Sequence, residues 1–182
     1  MTAKRLSAGD AAPDFRASNA RGEPRTLADF AGNKLWLCLF RYAACPFCAM
    51  RVHALVREQD RIRAAGIALV AVFPSKPERV RAYLDRYRAG FEILCDPEGA
   101  IHRAYGSETS VAGALKTGAN PVKLARVVPH VRNFLAIDGP AHRMPAEFLI
   151  DEAGRIALAY YGTEIDDGIP VERALGWGAH GA

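Results

Sequence analysis

Two thiols separated by two residues, in Cys45-Pro46-Phe47-Cys48, are the side chains best suited to chemistry in this sequence. A thiolate attacks a disulfide sulfur or a peroxide oxygen, and a neighbouring thiol at this spacing can then close onto the oxidised sulfur. One thiol attacks and the other resolves. The pair follows the apolar run Leu35-Trp36-Leu37-Cys38-Leu39-Phe40 and begins a helical pattern, so it is expected at a helix N-terminus. Unsatisfied N–H groups and the positive end of the helix dipole favour a thiolate there. The same spacing is half of a zinc site, but nothing completes it. Cys38 lies inside the apolar run, Cys95 stands alone, and His53 points away from Cys48 by helical rotation. The pattern therefore reads as redox chemistry without metal or cofactor. Cys38 and Cys95 are expected to be inert buried thiols. His102, His130, His142 and His180 show no ligand spacing and are expected at the surface.

The elements that must hold the pair are legible around it. Leu35 to Phe40 and Ile67 to Phe73 are continuous apolar runs, the mark of strands buried on both faces. Between them a helix is predicted from Pro46 to about Ala65, with Cys48, Val52, Leu55 and Ile62 on one stripe and Arg51, Arg57, Glu58 and Arg61 off it. Pro46 suits the first helical position, where its missing N–H costs nothing. A second helix is expected over 76–88, then a short strand over Phe91 to Cys95. Glu147 to Ile150, a turn over 151–154 and Arg155 to Tyr161 read as a hairpin, and a short helix follows Pro170. The turn-rich opening through Pro24 suggests a further hairpin laid across the body. This order is the thioredoxin layout: an α/β fold with a central mixed sheet flanked by helices, in a single domain over 1–182. Residues 107–142 form an insertion outside that layout, expected to supply short helices that pack on the sheet or on a partner.

Met144-Pro145 precedes the hairpin's first strand, whose start faces the cysteine-bearing helix tip in this layout. A cis bond at Pro145 is expected, exposing the Met144 backbone to pair with substrate. The ordinary alternative is a trans proline at the start of a strand.

Composition narrows the classes further. The net charge of +4 is spread along the chain, which does not make a nucleic-acid footprint. The longest apolar run is far too short to span a bilayer. No apolar run follows Lys4-Arg5, so no secretory leader is expected and a reducing cytoplasm is the default compartment.

Several stretches resemble the alkyl hydroperoxide reductase/thiol-specific antioxidant superfamily, and especially its peroxiredoxin-like branch with a Cys-x-x-Cys. They are Gly9-Asp10-Ala11-Ala12-Pro13-Asp14-Phe15, Arg41-Tyr42-Ala43-Ala44-Cys45-Pro46-Phe47-Cys48, Leu94-Cys95-Asp96-Pro97-Glu98-Gly99 and the strand, turn and strand from Phe148 to Ile156. The resemblance implies a thiol-dependent oxidoreductase that reduces peroxides, an external dithiol reductant of the thioredoxin type, and a homodimer. Laid on the family's Pro-x-x-x-Thr-x-x-Cys, Cys48 takes the peroxidatic place, Cys45 replaces the threonine and Arg41 replaces the proline. The family's late arginine is replaced by Pro145, leaving Arg143 as a candidate for its charge. Arg41, Met144 and Pro145 are the expected substrate-binding residues. In a peroxidase Cys48 attacks and Cys45 condenses with its sulfenic acid; in a disulfide reductase Cys45, more exposed at the helix tip, attacks and Cys48 resolves. The peroxidase order is slightly favoured. A binding module of the same fold, with no catalytic role for the cysteines, is the reading from a different class.

Overall fold

The computed structural model describes residues 4–81, 88–107, 109–110, 121–128, 139 and 142–179. Seven strands form one mixed sheet in the order β2-β1-β5-β4-β3-β6-β7. They are β1 (Arg16–Asn19), β2 (Pro24–Thr26), β3 (Lys34–Leu39), β4 (Ile67–Phe73), β5 (Glu92–Cys95), β6 (Ala146–Ile150) and β7 (Ile156–Tyr161). β3, β4 and β5 run parallel, and β6 returns antiparallel on β3, with Cys38 opposite Glu147.

Every residue of β3 is buried, which explains its lack of alternation. Trp36, Cys38 and Phe40 enter one core beside Val52 and Leu55 of helix α1 (Pro46–Ala64). Leu35, Leu37 and Leu39 enter the other, with Tyr105 and Phe148. A core leucine of this kind contributes roughly 2 kcal/mol through burial alone. The predicted stripe of α1 is confirmed: Val52, Leu55 and Ile62 are all buried.

A helix begins at 77–81 after β4, and the rest of the span expected to be helical, 82–87, lies outside the described residues. Helix α2 (Ala100–Ala104) follows β5, and α4 (Val171–Ala179) closes the described chain against α1. Gly178 of α4 is a close approach: a Cβ there would stand 3.0 Å from the Ala65 carbonyl oxygen. Of the expected insertion, helix α3 (Pro121–Val127) is described, and its Val127 reaches the α1-side core. The N-terminal hairpin departs from expectation. It does not lie across the body but extends the sheet, with Ser18 of β1 opposite Cys95 of β5, because the free edge of β5 offers unpaired backbone groups. No helix among the described residues is long and apolar enough to cross a membrane.

Candidate active site

The loop from Phe40 to Cys45 leaves the carboxyl end of β3 and turns into α1. The Cys45 N–H donates to the Tyr42 carbonyl at 3.2 Å, and the Ala43 N–H donates to the buried Ser75 hydroxyl at 2.9 Å, tying the loop to the end of β4. Gly139 of the insertion presses on this loop. A Cβ there would stand 3.3 Å from the Arg41 carbonyl oxygen and 3.2 Å from the Tyr42 Cβ, so any larger residue would push the two apart.

Cys45 is the N-cap of α1, with Pro46 at the first helical position. Its Sγ accepts the Cys48 backbone N–H at 3.4 Å and an Arg41 N–H, from Nη1, also at 3.4 Å. Burial works against a Cys45 thiolate. The Cys48 hydrogen bond, the Arg41 charge and the Cys48 and Phe47 backbone N–H groups outweigh it, and bring the thiol down to about 7. Cys48 goes the other way: burial, then the hydrogen bond and charge of Cys45, hold it well above the ordinary thiol value. The two sulfurs thus divide into a stabilised thiolate and a neutral thiol that donates to it.

Both are sealed. Cys45 is 0% exposed and Cys48 3% exposed, so Cys45 is not the more exposed sulfur expected at a helix tip. Arg41, Tyr42 and Ala43 of the loop are themselves buried and fold over it, while Ala44 is partly exposed.

Arg41, read from the sequence as a substrate-binding residue, lies beside Cys45 and holds its sulfur. It is 4% exposed, and its Nε donates to the Arg143 carbonyl at 2.8 Å. Arg41, rather than Arg143, therefore supplies the charge at Cys45. Met144 is buried in the same core cluster as both cysteines. The Met144-Pro145 segment differs from expectation, since the described residues contain no cis peptide and Pro145 is trans. The surrounding backbone is already paired: the Met144 carbonyl accepts from the Ser107 hydroxyl at 3.3 Å, and the Pro145 carbonyl accepts the Gly162 N–H at 2.9 Å. Pro145 so continues the β6–β7 ladder, which an ordinary trans residue satisfies.

Two features escaped the sequence reading. His102 is fully buried rather than at the surface. Its Nδ1 stands 2.8 Å from Asp96 Oδ2, and its Nε2 donates to the Phe40 carbonyl at 2.9 Å. Asp96 also accepts the N–H groups of Ala100 and Ile101, so one carboxylate caps α2 and orients the ring that anchors the start of the active-site loop. The turn motif Asp96-Pro97-Glu98-Gly99 was the available signal. The second is Glu147, also buried, which takes two N–H groups of Arg51 at 2.9 Å each, the Trp36 indole N–H at 3.1 Å and the Ile169 N–H at 2.8 Å. Arg51 stands one turn after Cys48, so this bridge fastens the first turns of α1 to the sheet. Cys38 and Cys95 behave as expected: burial raises both thiols, Cys95 to about 11.

A family model described as the AhpC/TSA family matches residues 8–159. A Mycobacterium tuberculosis (strain H37Rv) protein assigned as a peroxiredoxin is 25% identical over 162 residues, 88% of each chain. Among solved structures, the peroxidoxin BcpB of M. tuberculosis superposes with a TM-score of 0.71 at 14% identity, covering 94% of this chain and 96% of that one. A structure from Chlorobium tepidum assigned as a thiol:disulfide interchange protein DsbE gives 0.66 at 23% identity, covering 96% and 99%. The structural likenesses speak to the fold; the family match speaks to descent.

Proposed function

The chain belongs to the AhpC/TSA family, and from that membership we propose that it reduces peroxides with Cys45 as the attacking thiol and Cys48 as the resolving one. It is a thiol-dependent oxidoreductase. The observation that carries the assignment is the pair of N–H groups, from Arg41 and the Cys48 backbone, that converge on Cys45 Sγ. This order reverses the one slightly favoured by the family alignment, because the charge and the helix cap serve Cys45.

The Cys45 thiolate attacks the terminal peroxide oxygen. The O–O bond breaks, the alkoxide or hydroxide leaves and takes up a proton, and Cys45 becomes a sulfenic acid. The Cys48 sulfur then displaces water to give a Cys45–Cys48 disulfide, so two thiols and one hydroperoxide yield a disulfide, an alcohol and water. An external dithiol of the thioredoxin type, in a reducing compartment such as the cytoplasm, restores the pair. Both sulfurs are sealed, so turnover needs the loop over 41–45 to open.

Stopped-flow thiol oxidation by hydrogen peroxide and by a neutral organic hydroperoxide tests this directly. Cys45→Ser is expected to abolish reaction. Cys48→Ser is expected to allow one turnover and leave a sulfenic acid at Cys45, trapped by dimedone and located by mass spectrometry. A dimedone adduct at Cys48 in Cys45→Ser would reverse the roles, and wild-type oxidation no faster than free cysteine would remove the peroxidase reading. A disulfide reductase is the second reading, favoured by the same low thiol value at the first cysteine of the pair. Turnover of a disulfide substrate without peroxide would identify it.

A further inference from the structure

The His102 ring stands between two acceptors. Nδ1 lies 2.8 Å from Asp96 Oδ2 and Nε2 lies 2.9 Å from the Phe40 carbonyl oxygen, in a side chain that is 0% exposed. A neutral imidazole carries one N–H and one lone pair, so it meets one of these oxygens with a donor and the other with a lone pair. Only the imidazolium donates at both ends.

The surroundings decide which contact survives when the second proton leaves. Burial works against the Asp96 carboxylate, but the His102 ring and the His102 and Ala100 N–H groups outweigh it and hold the acid below the usual range. A charged carboxylate is a stronger acceptor than a peptide carbonyl. The single proton of a neutral ring therefore sits on Nδ1, and Nε2 turns its lone pair to Phe40. Two charged groups act on the ring: Asp96 from the turn before α2, and Arg143 from the segment before β6. Burial and the Arg143 charge oppose the imidazolium, while Asp96 and the Phe40 carbonyl favour it, and the balance falls below the ordinary imidazole value. Arg41, the next residue after Phe40, turns its guanidinium to the Arg143 carbonyl and the Cys45 sulfur.

The contact at risk is the one that starts the redox loop. The Phe40 N–H is fixed in the sheet by the Val72 carbonyl at 2.9 Å. Its carbonyl belongs to the peptide unit that leads into Arg41, so the direction of that carbonyl sets how the loop leaves β3 to cover Cys45.

We propose that His102 is a positioning residue whose second proton latches the redox loop: the imidazolium clamps the Phe40 carbonyl and keeps Cys45 covered, and the neutral ring lets the loop open. The inference rests on Cys45 as the attacking thiol, whether a peroxide or a disulfide is the substrate.

The test follows iodoacetamide alkylation from mildly acid to mildly alkaline solution, with the label located at Cys45 by mass spectrometry. Each rate is divided by the thiolate fraction read from ultraviolet absorbance. Per thiolate, the wild-type rate is expected to rise about tenfold through the His102 titration, as the loss of one charge-assisted hydrogen bond supplies. His102→Gln places an amide nitrogen near the reach of Nε2 and should hold the slow rate at every pH. His102→Asn places one near the reach of Nδ1 and should show the fast rate at every pH. A ring that merely packs would leave the wild-type profile flat and speed both variants alike. Nitrogen NMR of the wild-type ring should find both nitrogens protonated below the step and Nδ1 alone above it. A flat wild-type profile, a step that persists in His102→Gln, or a proton kept on Nε2 above the step would overturn the latch. Amide exchange at Ala43 and Cys45, corrected for its intrinsic pH dependence, reads the same opening without the sulfur's reactivity. A failure of the latch is thereby told apart from a failure of the thiol assignment.

Discussion

At the scale of single residues, one sulfur's environment sets the chemistry. The value near 7 for Cys45 means that about half of the reduced molecules carry the thiolate at neutral pH. The rate of Cys45 oxidation, or of its alkylation by iodoacetamide, is therefore expected to rise with pH and level off above an inflection near 7. Arg41→Gln removes the side-chain cation that meets the sulfur. It should move that inflection towards the ordinary thiol value and cut the rate at pH 7 by about tenfold. The measurement is the pH profile itself, because general loosening of the fold lowers the amplitude without moving the midpoint. An unmoved midpoint would show that Arg41 packs without tuning.

At the scale of elements, the site is a junction of β3, α1, β6 and α2. Helix α1 delivers its N-terminus to the pair, and the Glu147 bridge keeps it there through Arg51, Trp36 and the Ile169 backbone. Glu147→Gln leaves Arg51 without its countercharge in a largely buried setting. It is expected to cost about 3 kcal/mol in urea unfolding; a loss below about 0.5 kcal/mol would mean that the bridge breaks even with solvent. On the other side, His102, oriented by Asp96, grips the Phe40 carbonyl at the carboxyl end of the parallel strands. The loop that carries Arg41 and Cys45 is thus anchored at its start by α2, along its length by Ser75 and at its end by α1.

At the scale of the whole molecule, the thiolate links redox state, pH and stability. Cys45 has a folded value near 7 against an ordinary 9.0, so its contribution to folding is present in full above pH 9. It falls away as pH drops through 7. Well below pH 9 the Cys48 thiol is protonated in both states, and it is present in both proteins compared, so its own ionisation largely cancels. Between pH 7 and 9 the reduced wild type is therefore expected to gain about 2 kcal/mol over Cys45→Ser in urea unfolding. A constant difference across that range would contradict the assignment of the thiolate to Cys45. In the proposed cycle, stabilising the reduced form would also make a Cys45–Cys48 disulfide the more oxidising, which suits re-reduction by an external dithiol.

Some of this was decided along the chain. The unbroken apolar runs of β3 and β4, the stripe of α1, Pro46 at its first turn and the position of the two cysteines are local properties, readable because periodicity and capping act over a few neighbouring residues. What tertiary structure alone decided is which of the two sulfurs holds the charge more easily. Which of two buried thiols holds the negative charge depends on Arg41, on the loop's closure over the site and on α1's exact start, and these meet only after strands far apart in sequence pair. The same holds for His102 and Glu147, polar residues whose burial is bearable because distant partners, Phe40 for one and Trp36, Arg51 and Ile169 for the other, arrive to satisfy them.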